Sequence, residues 1–142
     1  FYELVIKKIT EETVWREGST KAVLLIADAA PHKVGYSYKG IVSNAQIDWR
    51  EEAKKASELG IKFDTMTIDP MYVEWYKELS AMTNGVSVPF KNSGKTSQVI
   101  EAAALSRGGT RTKAMYMATM DSVKDDVELS AVYTAYSKEV TD

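Results

Sequence analysis

Cysteine is absent from the 142-residue chain, and histidine occurs once, at His32. The first absence excludes disulfides, zinc–thiolate centres and cysteine nucleophiles, and points to a reducing, cytoplasmic compartment. The second excludes a metal site made of several histidines of one chain. Long apolar runs are missing too: nothing approaches the roughly 20 residues that a membrane span requires, and nothing resembles a signal peptide. Net charge is only -2 and no basic stripe stands out, so neither a bilayer nor nucleic acid is the expected partner. Internal repeats and low-complexity segments are lacking. The chain opens on Phe1 rather than Met, which reads as a trimmed edge. What is present, 44% hydrophobic and 27% charged residues, suits one soluble globular domain. A chain of this size buries about 68% of its unfolded surface without needing cross-links.

The most informative stretch is Lys21 to His32, KAVLLIADAAPH. Its apolar residues Ala22 to Ala27 run without polar alternation, the pattern of a strand buried on both faces at the centre of a parallel sheet. Asp28 follows at the strand's carboxyl end, where open α/β sheets bind ligands. Upstream, Tyr2, Val5, Ile6 and Ile9 stand at helical spacing and predict a helix over 1–13. Residues 29–47 read as a long irregular loop, of a length often associated with function. Asp48, with Glu51 three residues on, opens a helix through Leu59 that Gly60 stops. A second strand is predicted over 61–68, a helix over 71–83 ended by Asn84-Gly85, and a third strand over 86–90, where Pro89 marks a sheet edge. A helix over 93–105 ends at Gly108-Gly109. Asp121 to Tyr136 forms a last helix, with Met115 to Met120 either extending it or adding a strand. The alternation of helix and strand predicts an α/β fold of parallel strands with right-handed crossovers.

The combination of IADAAPH with ELGIKFDTMTID a helix's length away, followed by YKELSAMTNGVSVPF, resembles the second half of a von Willebrand factor A-type (vWA) domain. The subgroup it is most similar to ends its fourth strand in Ala-Asp-Ala/Pro-Pro-His. The resemblance covers about residues 1–107. It implies a partial or divergent vWA-like fold: a Rossmann-like three-layer parallel sheet over 1–109, with 110–142 as a C-terminal helical extension. It also implies a metal-ion-dependent adhesion site for Mg²⁺ or another divalent cation. In that family the ligands come from an Asp-x-Ser-x-Ser loop, a later Thr, and the Asp that matches Asp28 here. No Asp-x-Ser-x-Ser occurs in this chain; the nearest string, Asp121 to Asp125, has the wrong spacing and carries Lys124. A lone Asp28 is an incomplete Mg²⁺ site, because the ion demands near-octahedral oxygen coordination. The family's first strand, which belongs beside residues 21–27, has no counterpart either. An apolar edge left open is a pairing hazard. That strand is therefore expected to be covered by an N-terminal fragment, by another copy of the chain, or by the tail at 110–142.

The resemblance implies a non-enzymatic protein-interaction module in which Asp28 is a remnant or shared metal ligand, and His32, Tyr36 and Tyr38 are the expected partner-binding residues. The same patterns suit plainer roles: a turn aspartate, a structural histidine, and tyrosines folded onto the core. One alternative is a nucleotide-binding enzyme. Pro89 to Thr96 ends in Gly94, Lys95 and Thr96, the close of a phosphate-binding loop between strand and helix. Pro89 stands where that loop needs its first glycine, and proline lacks the N–H and the freedom in φ that the turn requires. A second alternative is a structural assembly subunit joined through the strand at 21–27. The Trp75 and Tyr76 helix face reads as core, and Arg50 to Lys55 and Lys124 to Glu128 read as solvated helix faces.

Overall fold

Two strands, β1 (Ala22–Ile26) and β4 (Lys62–Met66), lie parallel with Ala22 opposite Lys62 and Ile26 opposite Met66. The computed structural model describes residues 1–42, 46–89 and 93–141. Beyond β4, the expected third strand contracts to one parallel bridge, in which Thr65 N–H donates to Val86 O at 2.9 Å and Val88 N–H to Thr65 O at 2.8 Å. Phe90, the end of that expected strand, lies outside the described residues. Helix α1 (Tyr2–Glu12) precedes β1, α2 (Trp49–Glu58) joins β1 to β4, and α3 (Val73–Met82) leads from β4 to the bridge. The chain is thus a mixed α/β fold with a small parallel sheet. No helix among the described residues is long and apolar enough to cross a membrane.

Side chains alternate across the sheet and divide the core in two. Val23, Leu25 and Phe63 pack with Ile6 of α1, Ala53 of α2 and Leu79 of α3. Leu24 and Met66 belong to a second cluster with Val99 of α4 (Thr96–Ser106), Tyr116 of α5 (Thr110–Ser122) and Tyr133 of α6 (Val127–Tyr136). The tail is therefore part of the core rather than an appendage. Its single expected helix is in fact α5 and α6, broken at Val123 to Asp126. Asp126 is the reason: its Oδ1 accepts from Leu129 N–H at 3.0 Å and so caps a new helix instead of continuing the old one. The Lys124 to Glu128 run is correspondingly a turn and a cap, not one helix face.

Other local signals act where the sequence places them. Asp48 Oδ1 accepts from Arg50 N–H at 2.9 Å to start α2, and Gly60, with φ of 72°, ends it. At the end of α3 the left-handed residue is Asn84, with φ of 55°. Gly85 is needed for a different reason, since a Cβ there would stand 2.0 Å from Phe63 O. The stretch over 29–47 is not wholly irregular. It contains a minimal hairpin, β2 (Ser37–Tyr38) paired with β3 (Ile41–Val42), and its turn residues Lys39 and Gly40 both have positive φ, as tight hairpin turns require.

The largest departure concerns β1. Expected at the sheet's centre and buried on both faces, it lies at the margin: Leu24 and its neighbours are only half-buried, and Ile26 is 42% exposed. The central strand is β4, whose KFDTM sequence is more polar yet buried from Phe63 onward. Its polar residues are all engaged. Phe63 N–H donates to Thr83 Oγ1 at 2.9 Å, and Thr65 Oγ1 donates to Tyr76 O at 2.8 Å. Asp64, 1% exposed, accepts both terminal amino groups of the Arg107 guanidinium, Val86 N–H at 2.8 Å and Tyr136 Oη–H at 3.1 Å. Burial acts to lower the Arg107 pKa, but the hydrogen bonds and charge of Asp64 more than offset it and hold the guanidinium above its ordinary value. Glu139 adds a carboxylate 3.6 Å from Arg107 Nε and accepts from Lys62 Nζ at 2.7 Å.

Removing one member of a buried ion pair leaves the other uncompensated, so Arg107→Met should lower unfolding stability by about 3–5 kcal/mol. Adding Asp64→Asn, which removes the charge but keeps an acceptor for Val86 N–H, should recover part of that loss in urea unfolding. A double variant no better than Arg107→Met alone would show that the pair is not electrostatically coupled.

Candidate functional site

Ala27 continues the ladder one residue past β1, donating its N–H to Met66 O at 3.2 Å, and the chain then leaves the sheet at Asp28. The Asp28 side chain is exposed and makes no hydrogen bond or ion pair among the described residues. It lines a depression of about 400 Å³ with Tyr2, Ile26, Met66, Ile68 and Thr96. Among the described residues no group of three or more His, Asp or Glu side chains is placed to hold a metal ion. Asp28 can therefore supply one oxygen ligand of a cation site, and the other protein ligands would have to come from elsewhere. The turn that follows is anchored by Tyr76, whose hydroxyl donates to Ala29 O at 2.9 Å. Burial, reinforced by the nearby Tyr2 and Asp28, pushes the Tyr76 phenol up to about 12. It is a protonated donor under ordinary conditions.

His32 is held by a residue that the sequence pattern leaves on the charged face of α1. Glu3 is only 6% exposed. Its Oε2 accepts from His32 N–H and its Oε1 from His32 Nδ1, each at 3.1 Å. The imidazole also packs between Phe1 and Tyr36, with ring centroids 4.7 and 3.8 Å away. This arrangement fastens the loop after Asp28 to the start of α1. The backbone spacing of Glu3 carries no hint of it, because the partner is 29 residues away. Tyr36 is thus joined to His32, while Tyr38 projects from the hairpin, 63% exposed, with Lys39 Nζ 5.3 Å from its ring centroid. Of the residues read as partner-binding, His32 and Tyr36 form one cluster and Tyr38 stands on the hairpin beyond it.

Gly94 and Lys95 lie in a single 3₁₀ turn (Ser93–Lys95), and Thr96 begins α4. Phe90, Lys91 and Asn92 of the phosphate-loop string lie outside the described residues. Lys95 Nζ donates to Asp126 Oδ2 at 2.6 Å, joining the start of α4 to the cap of α6. Leu129 N–H and then Lys95 hold the Asp126 carboxyl below the ordinary carboxylate range. A phosphate bound to Lys95 would have to displace Asp126. No protein-family model matches the chain, and no curated protein and no solved structure matches it.

The Glu3–His32 contact has a pH signature. Burial pushes the Glu3 carboxyl up, but hydrogen bonds from its own backbone N–H and from the His32 ring and backbone outweigh burial and lower it below 4.5. A depressed folded-state value stabilises fully above the unfolded value and is lost as pH falls through the folded one. Urea unfolding should accordingly show the wild type more stable than Glu3→Gln above 4.5, with the difference closing at lower pH. A difference independent of pH would assign Glu3 a packing role alone.

Proposed function

We propose that the chain is a non-enzymatic protein-interaction module, a Rossmann-like three-layer fold corresponding to the C-terminal half of a vWA-type domain. In this reading the partner adds a strand to β1 and completes a divalent-cation site around Asp28. One observation carries it: among the described residues the most apolar strand of the sheet has a neighbour on one side only. Lys62 N–H donates to Lys21 O, and Ala27 N–H to Met66 O. The register between them turns the backbone groups of Val23 and Leu25 toward β4. Those of Ala22, Leu24 and Ile26 consequently face the open side. The opposite edge of β4 has no such vacancy, because Thr83 and the 86–88 segment occupy it.

The tail is one expected cover for this edge, but its described residues pack over the sheet's face and form no ladder with β1. An N-terminal fragment or another polypeptide remains as the occupant. The order β1, β4, 86–88 supports the vWA-like reading, since the open side of β1 is where that family's first strand belongs. The structural-assembly alternative uses the same edge, with a second copy as occupant.

Two measurements test the proposal. Without its partner the chain should associate with itself through β1 as concentration rises from micromolar to millimolar. Ile26→Lys should keep it monomeric, because a charge on an edge strand blocks pairing. A strict monomer across that range, read by sedimentation, would overturn the edge reading. The metal reading predicts that millimolar Mg²⁺ or Mn²⁺ strengthens an association in which Asp28 takes part, and that Asp28→Asn removes the effect. An association indifferent to both ions would remove the metal role and leave the edge.

A further inference from the structure

The alternation of β1 continues past both of its ends. Lys21 O accepts from β4 and Ala27 N–H donates to it, so Thr20 and Asp28, like Ala22, Leu24 and Ile26, turn their backbone groups to the open side. Side chains at these even positions share one face of the sheet. Two openings lie on that face, one toward each end of the strand. The first, about 660 Å³, is at the amino end and is lined by Thr20, Ala22 and Leu24 together with Arg16 and Arg111. The second is the depression of about 400 Å³ at the carboxyl end, with Ile26 and Asp28. Helix α4 borders both, through Ile100 on the first and Thr96 on the second.

The two ends differ in charge. Arg16 and Arg111 are exposed at the amino end, and Asp64, a carboxylate on the same lining, is taken by Arg107. At the carboxyl end the exposed Asp28 makes its depression negative. Between them the surface is apolar, with Ile26 42% and Ile100 51% exposed. A strip that is positive at one end and negative at the other complements itself when reversed.

We propose that, where no other polypeptide holds the β1 edge, a second copy of the chain pairs with it antiparallel, Leu24 opposite Leu24 at a two-fold axis. This rests on the open-edge reading of β1 and not on the metal reading of Asp28. The register engages the whole open edge: Ala22 of each copy faces Ile26 of the other, and residues so opposed exchange N–H···O bonds. One step outward, Thr20 faces Asp28, which brings the Asp28 carboxylate to the Arg16 and Arg111 opening of the other copy. Opposed residues of an antiparallel pair lie on the same face, so Leu24 packs on Leu24 and the exposed Ile26 gains an apolar neighbour. Parallel pairing would set Asp28 beside Asp28 and arginines beside arginines, which like charges oppose. Because the same patch serves both copies, the contact closes as a dimer and builds no filament.

Sedimentation of the full chain in EDTA at low salt, where exposed charges are least screened, tests the proposal with changes at exposed positions only. Asp28→Arg sets arginine against arginine at both ends of the dimer. The double variant Arg16→Asp, Arg111→Asp sets aspartate against aspartate. Each should dimerise about tenfold more weakly than the wild type, from exposed ion pairs lost and like charges gained at two equivalent places. An equimolar mixture of the two should dimerise as the wild type does, since both ends of the mixed dimer again oppose arginine and aspartate. Recovery on mixing also shows that both variants fold. The proposal is overturned if either variant self-associates as strongly as the wild type, or if mixing produces no gain. Association that Ile26→Lys abolishes but the charge variants leave intact would remove the antiparallel register and keep the open edge. A wild type that stays monomeric would remove both.

Discussion

Asp64 lies in the middle of the central strand and receives hydrogen bonds from three other parts of the chain: the 86–88 segment, Arg107 at the end of α4, and Tyr136 at the end of α6. A buried ion pair need not add net stability over an apolar substitute. Its effect here is on arrangement. The donors converge on two oxygen atoms only when the third segment, α4 and α6 are each in place. The remaining backbone groups of β4 follow the same rule. Thr65 and Phe63 hand theirs to the 86–88 segment and to α3, so the polar central strand carries its own set of partners.

That satisfaction on one side throws the other side into relief. The sheet runs from an edge of β4 that Thr83 and the 86–88 segment occupy to an edge of β1 that pairs with no strand among the described residues, and that edge belongs to the more apolar strand. Helices cover the two faces next to β1, yet Ile26 is still 42% exposed. A strand whose side chains suit a sheet interior but whose backbone has one neighbour is suited to receive another strand. Asp28 follows directly at its carboxyl end, so anything paired with β1 would also approach that exposed carboxylate.

Much of the fold is legible in the sequence because its signals are local. Helices α1, α2, α3 and α4 follow from apolar spacing, and Asp48, Gly60 and Asn84 mark ends by their own backbone chemistry. The positions of the strands are less legible. An unbroken apolar run predicts burial on both faces, yet AVLLI stands at the sheet's margin, whereas KFDTM is buried because Asp64 finds Arg107 43 residues away. Composition cannot reveal such a pairing. The break between α5 and α6 depends on one capping aspartate in an otherwise helical run, and the hairpin at 37–42 is too short to show a period. At the candidate site, Asp28 and His32 are visible from KAVLLIADAAPH. Glu3 is not, because nothing local distinguishes it from the charges around it.

The function of β1 depends on which of its sides is free. Backbone amide hydrogen exchange resolved residue by residue addresses this directly. Val23, Leu25 and Ala27 should be protected by their bonds to β4, while Ala22, Leu24 and Ile26 should exchange much faster in the same strand. Equal protection at all six positions would mean that the edge is already occupied, and would contradict the account.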